Sequence, residues 1–78
     1  VPTVLRAGPY RFFFYASDGQ EPAHVHVERD AKVAKFWLAP VSLQSAGGFS
    51  RVELARIDTL VRQHEPFLKE SWYVFFRG

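Results

Sequence analysis

The sequence predicts an α+β domain: a small antiparallel meander of three to four strands packed against a C-terminal amphipathic helical region, kinked or split near Pro66. Three observations predict it. Apolar and polar residues alternate with period two through much of the first half, as in half-buried strands. From Leu54 onward the apolar residues recur every three or four positions, as on one face of a helix. Gly and Pro turn signals fall between these segments. At 78 residues, a single domain spanning 1–78 is expected.

The first strand runs from Thr3 to Arg6 and ends at Ala7-Gly8-Pro9. The second, Tyr10 to Ala16, places Tyr10, Phe12, Phe14 and Ala16 on one face and Arg11, Phe13 and Tyr15 on the other. Aromatics on both faces predict an internal strand covered on both sides. Residues 17–22 read as a polar loop, with Pro22 biasing Glu21 to an extended backbone. The third strand, Ala23 to Arg29, sends His24, His26 and Glu28 one way and Val25 and Val27 the other. Asp30-Ala31 turns the chain into Lys32 to Leu38, where Ala34, Phe36 and Leu38 oppose Val33, Lys35 and Trp37, and Pro40 ends the strand. Val41 to Gly48 reads as irregular. A helix then starts at Ser50, with Glu53 in the reciprocal position of a capping box and Phe49 and Leu54 placed as a hydrophobic staple. Leu54, Ile57, Val61, His64 and Leu68 form its apolar stripe. Asp58–Arg62 and Glu65–Lys69 are acid-before-base pairs four apart on the solvated face. Pro66 is costly inside a helix and cheap in a first turn, so either two helices meeting near Glu65 or one kinked helix fits.

Composition narrows the classes. Eight Phe, three Tyr and two Trp in a chain that is 47% hydrophobic supply a core despite the short length. Cysteine is absent, which rules out disulfides and zinc–thiolate staples and points to a cytoplasmic setting. No apolar run reaches the ~20 residues of a membrane span, and no signal-peptide pattern opens the chain, so no membrane partner is expected. Net charge is +2 with both signs evenly mixed, which argues against a polybasic nucleic-acid tail. There is also no methionine; Val1 reads as a translated non-ATG start or an appended residue, and Pro2-Thr3-Val4 as the opening of the first strand.

The residues that can carry chemistry centre on His24-Val25-His26. Strand alternation puts both imidazoles on one face with Cβ atoms about 6.5–7 Å apart. At that spacing they can act as a catalytic acid and base or converge on a divalent metal, or they can simply be hydrogen-bonded on a half-exposed face. A metal needs a third ligand, for which Glu28, Asp18, Glu21 and His64 are the candidates; no cofactor is otherwise expected. Arg11, Arg29, Lys32 and Lys35 surround the histidine hairpin and are candidate nucleic-acid contacts, with Tyr15 and Trp37 available for base stacking. Edge protection and solubility explain the same cations without any ligand. Trp72, Tyr73, Phe75 and Phe76 belong to a nearly unrelieved apolar segment, either the last piece of the core or the interface for a partner or a second copy. Glycine-rich phosphate loops, a cysteine nucleophile and paired catalytic carboxylates are missing.

Several segments together resemble one small bacterial family, the domain of unknown function 4160. They are Pro2-Thr3-Val4-Leu5-Arg6, Gly8 to Tyr15, Glu21-Pro22-Ala23-His24-Val25-His26-Val27, Lys35-Phe36-Trp37-Leu38 and Gly48-Phe49-Ser50. The Pro-x-His-x-His signature is the most specific of these. Ala23 stands where the family often has a second proline, and Pro66 is unusual in its helix. The resemblance carries no assigned activity for His24 or His26. It implies a component of a type II toxin–antitoxin module, paired with a cognate small protein. With no helix-turn-helix in view, it implies the toxin-like member, acting on RNA, rather than the DNA-binding one. The expectations are therefore an RNA-acting toxin-like protein, a non-enzymatic interaction module, or a metal-binding domain.

Overall fold

The computed structural model describes residues 3–77, so Val1 and the expected strand opening at Pro2 lie outside the described residues. Five strands form one antiparallel sheet whose spatial order is the chain order: β1 (Thr3–Ala7), β2 (Tyr10–Phe13), β3 (His24–Arg29), β4 (Lys32–Leu38) and β5 (Val41–Ser45). Two helices follow, α1 (Arg51–Gln63) and α2 (Glu65–Arg77). The α+β class holds, with one strand more than the sequence predicted.

That extra strand is β5. The segment read as irregular pairs with β4 from Leu38↔Val41 to Lys35↔Ser45, with a register shift between Lys35 and Phe36. Only Val41 of β5 is buried, so its remaining residues need no apolar pattern. A second correction concerns β2, which ends at Phe13 rather than Ala16. Ala16–Gln20 forms a 3₁₀ turn where a loop was expected. It is closed by Asp18 N–H donating to the Tyr15 carbonyl (3.0 Å) and Glu21 N–H to the Asp18 carbonyl (3.1 Å).

Elsewhere local chemistry sets the elements as expected. Asp30 takes a left-handed φ of 56° in the β3–β4 turn, a conformation that Asp tolerates better than most residues. The hairpin it closes pairs from Arg29↔Lys32 to His24↔Trp37. Ser50 Oγ accepts the Glu53 N–H at 3.1 Å and caps α1. The Glu53 carboxylate does not complete the box. It instead accepts from the Tyr10 hydroxyl (3.0 Å) and from Arg29 (2.6 Å), tying α1 to β2 and β3. The helical region is split at His64, the one residue between α1 and α2, and Pro66 falls in the first turn of α2, where its missing N–H costs little.

The core lies between the sheet and the helices. Phe12, Phe14, Val25, Val27, Ala34, Phe36 and Leu38 from the sheet side meet Ile57, Val61, Leu68 and Trp72 from the helices. The residues of the helical stripe that are fully buried are Ile57, Val61 and Leu68; Leu54 and His64 are half-buried at its margins. Phe14 belongs to this core although it lies beyond β2, and its ring meets Trp72 edge-on at 5.3 Å. The end of the sheet where β2 finishes and β3 begins is thus closed by α2. No helix among the described residues is long and apolar enough to cross a membrane.

Candidate functional site

The period-two rule places His24 and His26 together on the sheet face away from Val25 and Val27. Their ring centroids lie 5.1 Å apart, with the planes nearly perpendicular. The 3₁₀ turn brings a carboxylate to them. Asp18 Oδ2 accepts a hydrogen bond from His26 Nε2 at 2.9 Å and lies 3.2 Å from His24 Nε2. The same oxygen accepts the Tyr15 N–H at 2.9 Å, which fixes the carboxylate against the turn. All three side chains are buried, His24 completely and His26 at 9% exposure.

Aromatic rings seal this cluster. His24 sits between Trp72 of α2 (5.0 Å) and Trp37 of β4 (5.6 Å). His26 stacks on Phe13 (5.3 Å) and meets the edge of Tyr15 (4.7 Å). Removing the imidazolium from water draws the pKa of His26 below the ordinary imidazole value, despite the opposing pull of Asp18. Burial pushes Asp18 upward, but the Tyr15 N–H and the two imidazoles outweigh it and hold the carboxyl below its ordinary range.

Of the four proposed third ligands, Asp18 is the one brought to the histidines. Glu28 is turned to Arg11 (2.7 Å) and Glu21 to Lys35 (2.6 Å). His64 ends α1, its Nδ1 donating to the Leu60 carbonyl at 2.9 Å.

The four basic candidates do not form one patch. Arg11 and Lys35 lie on the histidine face, Arg11 over Phe13 and Lys35 over Trp37. Arg29 reaches the helical layer and pairs with Glu53, while Lys32 lies over Phe49. Position parity could have shown this division: Arg29 shares the parity of Val25 and Val27, and Lys32 that of Ala34 and Phe36.

The aromatic C-terminal segment divides as well. Trp72 is core and Phe76 is half-buried against it (4.2 Å), whereas Tyr73 and Phe75 are 50% and 40% exposed. Phe67 and Val74, at 50% and 65% exposure, extend the apolar surface of α2. Phe67 was missed because it sits next to the stripe residue Leu68. Helical spacing nevertheless puts Phe67, Ser71 and Val74 on one face of α2. Beside that face runs a groove of about 350 Å³ lined by Thr3, Val4, Phe14, Glu70, Ser71, Val74 and Phe75.

A five-stranded meander closed by two helices, with a buried Asp–His–His cluster on its other face, defines a compact class of α+β domain. Residues 10–73 match the family model for a domain of unknown function, DUF4160, and the chain belongs to that family. No match was found among curated proteins or among solved structures.

Proposed function

We propose that the chain is a non-enzymatic interaction module that docks a cognate small protein in the groove between β1 and α2. The observation that carries this reading is the apolar wall that α2 gives the groove, Val74 and Phe75, left 65% and 40% exposed alongside Val4 of an edge strand. No strand among the described residues pairs with the outer side of β1. An extended, apolar partner segment fits both features: its backbone adds to the free strand edge while alternate side chains enter the groove. The toxin–antitoxin setting that the family resemblance implies supports a small protein encoded beside this one as the partner.

Co-expression with the product of the neighbouring small reading frame, followed by size-exclusion chromatography with light scattering, tests the proposal. A complex formed by the native chain and lost in Val74→Glu and Phe75→Ala supports it. Separate monomers, or a complex indifferent to both substitutions, overturn it.

A second reading, a toxin-like protein acting on RNA through His24 and His26, is favoured by Arg11 and Lys35 on the histidine face. The complete burial of His24 and the carboxylate partners of Arg11, Arg29 and Lys35 count against it. Expression of the chain and its His24→Ala/His26→Ala variant in bacteria, with equal growth and intact RNA in both, would remove this reading.

A further inference from the structure

We propose that Asp18, His24 and His26 form a binding site for a single divalent transition-metal ion of the zinc class. The carrying observation is an orphaned atom. His24 Nδ1 lies 2.9 Å from the Pro22 carbonyl, which can only accept, so Nδ1 carries the proton. In the neutral ring Nε2 is then a bare lone pair. That atom is completely buried and forms no hydrogen bond with any protein group. It faces Asp18 Oδ2, another electron-rich atom, at 3.2 Å. Two lone pairs sealed face to face repel unless a positive charge stands between them.

The donor set and its spacing fit a metal as that charge. The three candidate donor atoms lie within 4.8 Å of one another. Zinc bound tetrahedrally at about 2.0–2.1 Å holds neighbouring donors about 3.3 Å apart. The two Asp–His separations, 2.9 and 3.2 Å, are within a few tenths of an ångström of that spacing. Two imidazoles and one carboxylate suit zinc and its first-row neighbours.

Supporting contacts are already in place. A ligating imidazole whose other nitrogen donates to a backbone carbonyl is oriented and made more basic, and His24 has that bond to Pro22. Tyr15 N–H holds the carboxylate, and Trp37 and Trp72 keep the His24 side dry. Access is from the Asp18–His26 side, where 9% and 11% of those side chains reach solvent. Loading the site displaces the Asp18–His26 hydrogen bond and requires His26 to carry its proton on Nδ1 instead of Nε2.

Full-length protein, stripped with a chelator and dialysed, is titrated with Zn²⁺ by calorimetry and with Co²⁺ by visible absorption. One equivalent of Zn²⁺ is expected, together with a Co²⁺ ligand-field spectrum that Zn²⁺ abolishes and a rise in the thermal midpoint. Imidazole ¹⁵N resonances locate the ion without any substitution: Nε2 of His24 and His26 should shift on loading and those of His64 should not. His26→Gln and Asp18→Asn should weaken binding at least tenfold. Glu28→Gln, which alters only the Arg11 pair, should leave it unchanged. A folded native protein that takes up neither ion stoichiometrically overturns the proposal, as does a bound ion that leaves the His24 resonance in place.

Discussion

Replacing Phe14 by alanine tests how α2 is held to the sheet. The ring is 0% exposed and lies 5.3 Å from Trp72 and 6.0 Å from both Phe75 and Phe76, so it is the main apolar bolt at that end of the domain. Core Phe→Ala changes cost ~3–5 kcal/mol, because lost transfer energy is added to the cavity left behind. At ~0.05–0.15 kcal/mol per residue, a chain of 78 residues has a total of about 4–12 kcal/mol to lose. With a urea slope of ~1 kcal/mol per molar for so small a protein, the unfolding midpoint should fall by roughly 3–5 M or the protein should unfold outright. Urea melts followed by tryptophan fluorescence and far-ultraviolet circular dichroism measure this, and Trp72 reports the helix directly. Phe75→Ala, at a ring already 40% exposed, is the control and should cost about 1 kcal/mol. If Phe14→Ala moves the midpoint no further than Phe75→Ala, α2 is not anchored as described.

Two further outcomes follow from particular contacts. Stability should fall at both extremes of pH through the Tyr10–Glu53–Arg29 cluster. Burial raises the Glu53 carboxyl, but the Tyr10 hydroxyl and Arg29 outweigh it and hold it below 4.5, so its contribution is complete above that value and is lost as pH drops through the lower folded pKa. Tyr10 is raised above 10.0, chiefly by burial and then by Glu53, so its contribution is present below pH 10 and is lost as pH climbs through the folded pKa. Tyr10→Phe should abolish the alkaline limb in thermal melts across pH and shrink the acid one; unchanged limbs would refute the assignment. Gly47→Ala should cost about 2–4 kcal/mol, because φ is +61° and the new Cβ would collide with the Val33 carbonyl group. Gly8→Ala has a similar φ of +59° but open space around it, so about 1 kcal/mol is expected; equal losses at the two sites would contradict the Val33 contact.

Local rules explain what the sequence could disclose. Alternation with a tight Asp30-Ala31 turn is sufficient for the β3–β4 hairpin, and it sent both histidines to one face as expected. The Ser50 cap and the three-four spacing of Ile57, Val61 and Leu68 were legible for the same reason: each needs only neighbours within a turn or two. β5 was hidden because an edge strand that buries Val41 alone carries almost no apolar signature. Tyr10 to Ala16 read as one long strand because Phe14 remains a core residue after the backbone has left the sheet. Asp18 was named among several acids that could join the histidines, but nothing in Ser17-Asp18-Gly19 marks it as the buried one. Its choice depends on the turn folding back over β3, a tertiary event.

The groove lined by Thr3, Val4, Val74 and Phe75 has a practical corollary. It draws the opening strand and the closing turns of the last helix onto the same flank. A substitution that shifts β1 against β2 therefore reshapes this hollow as directly as one on α2, although most of the described chain separates the two walls in sequence.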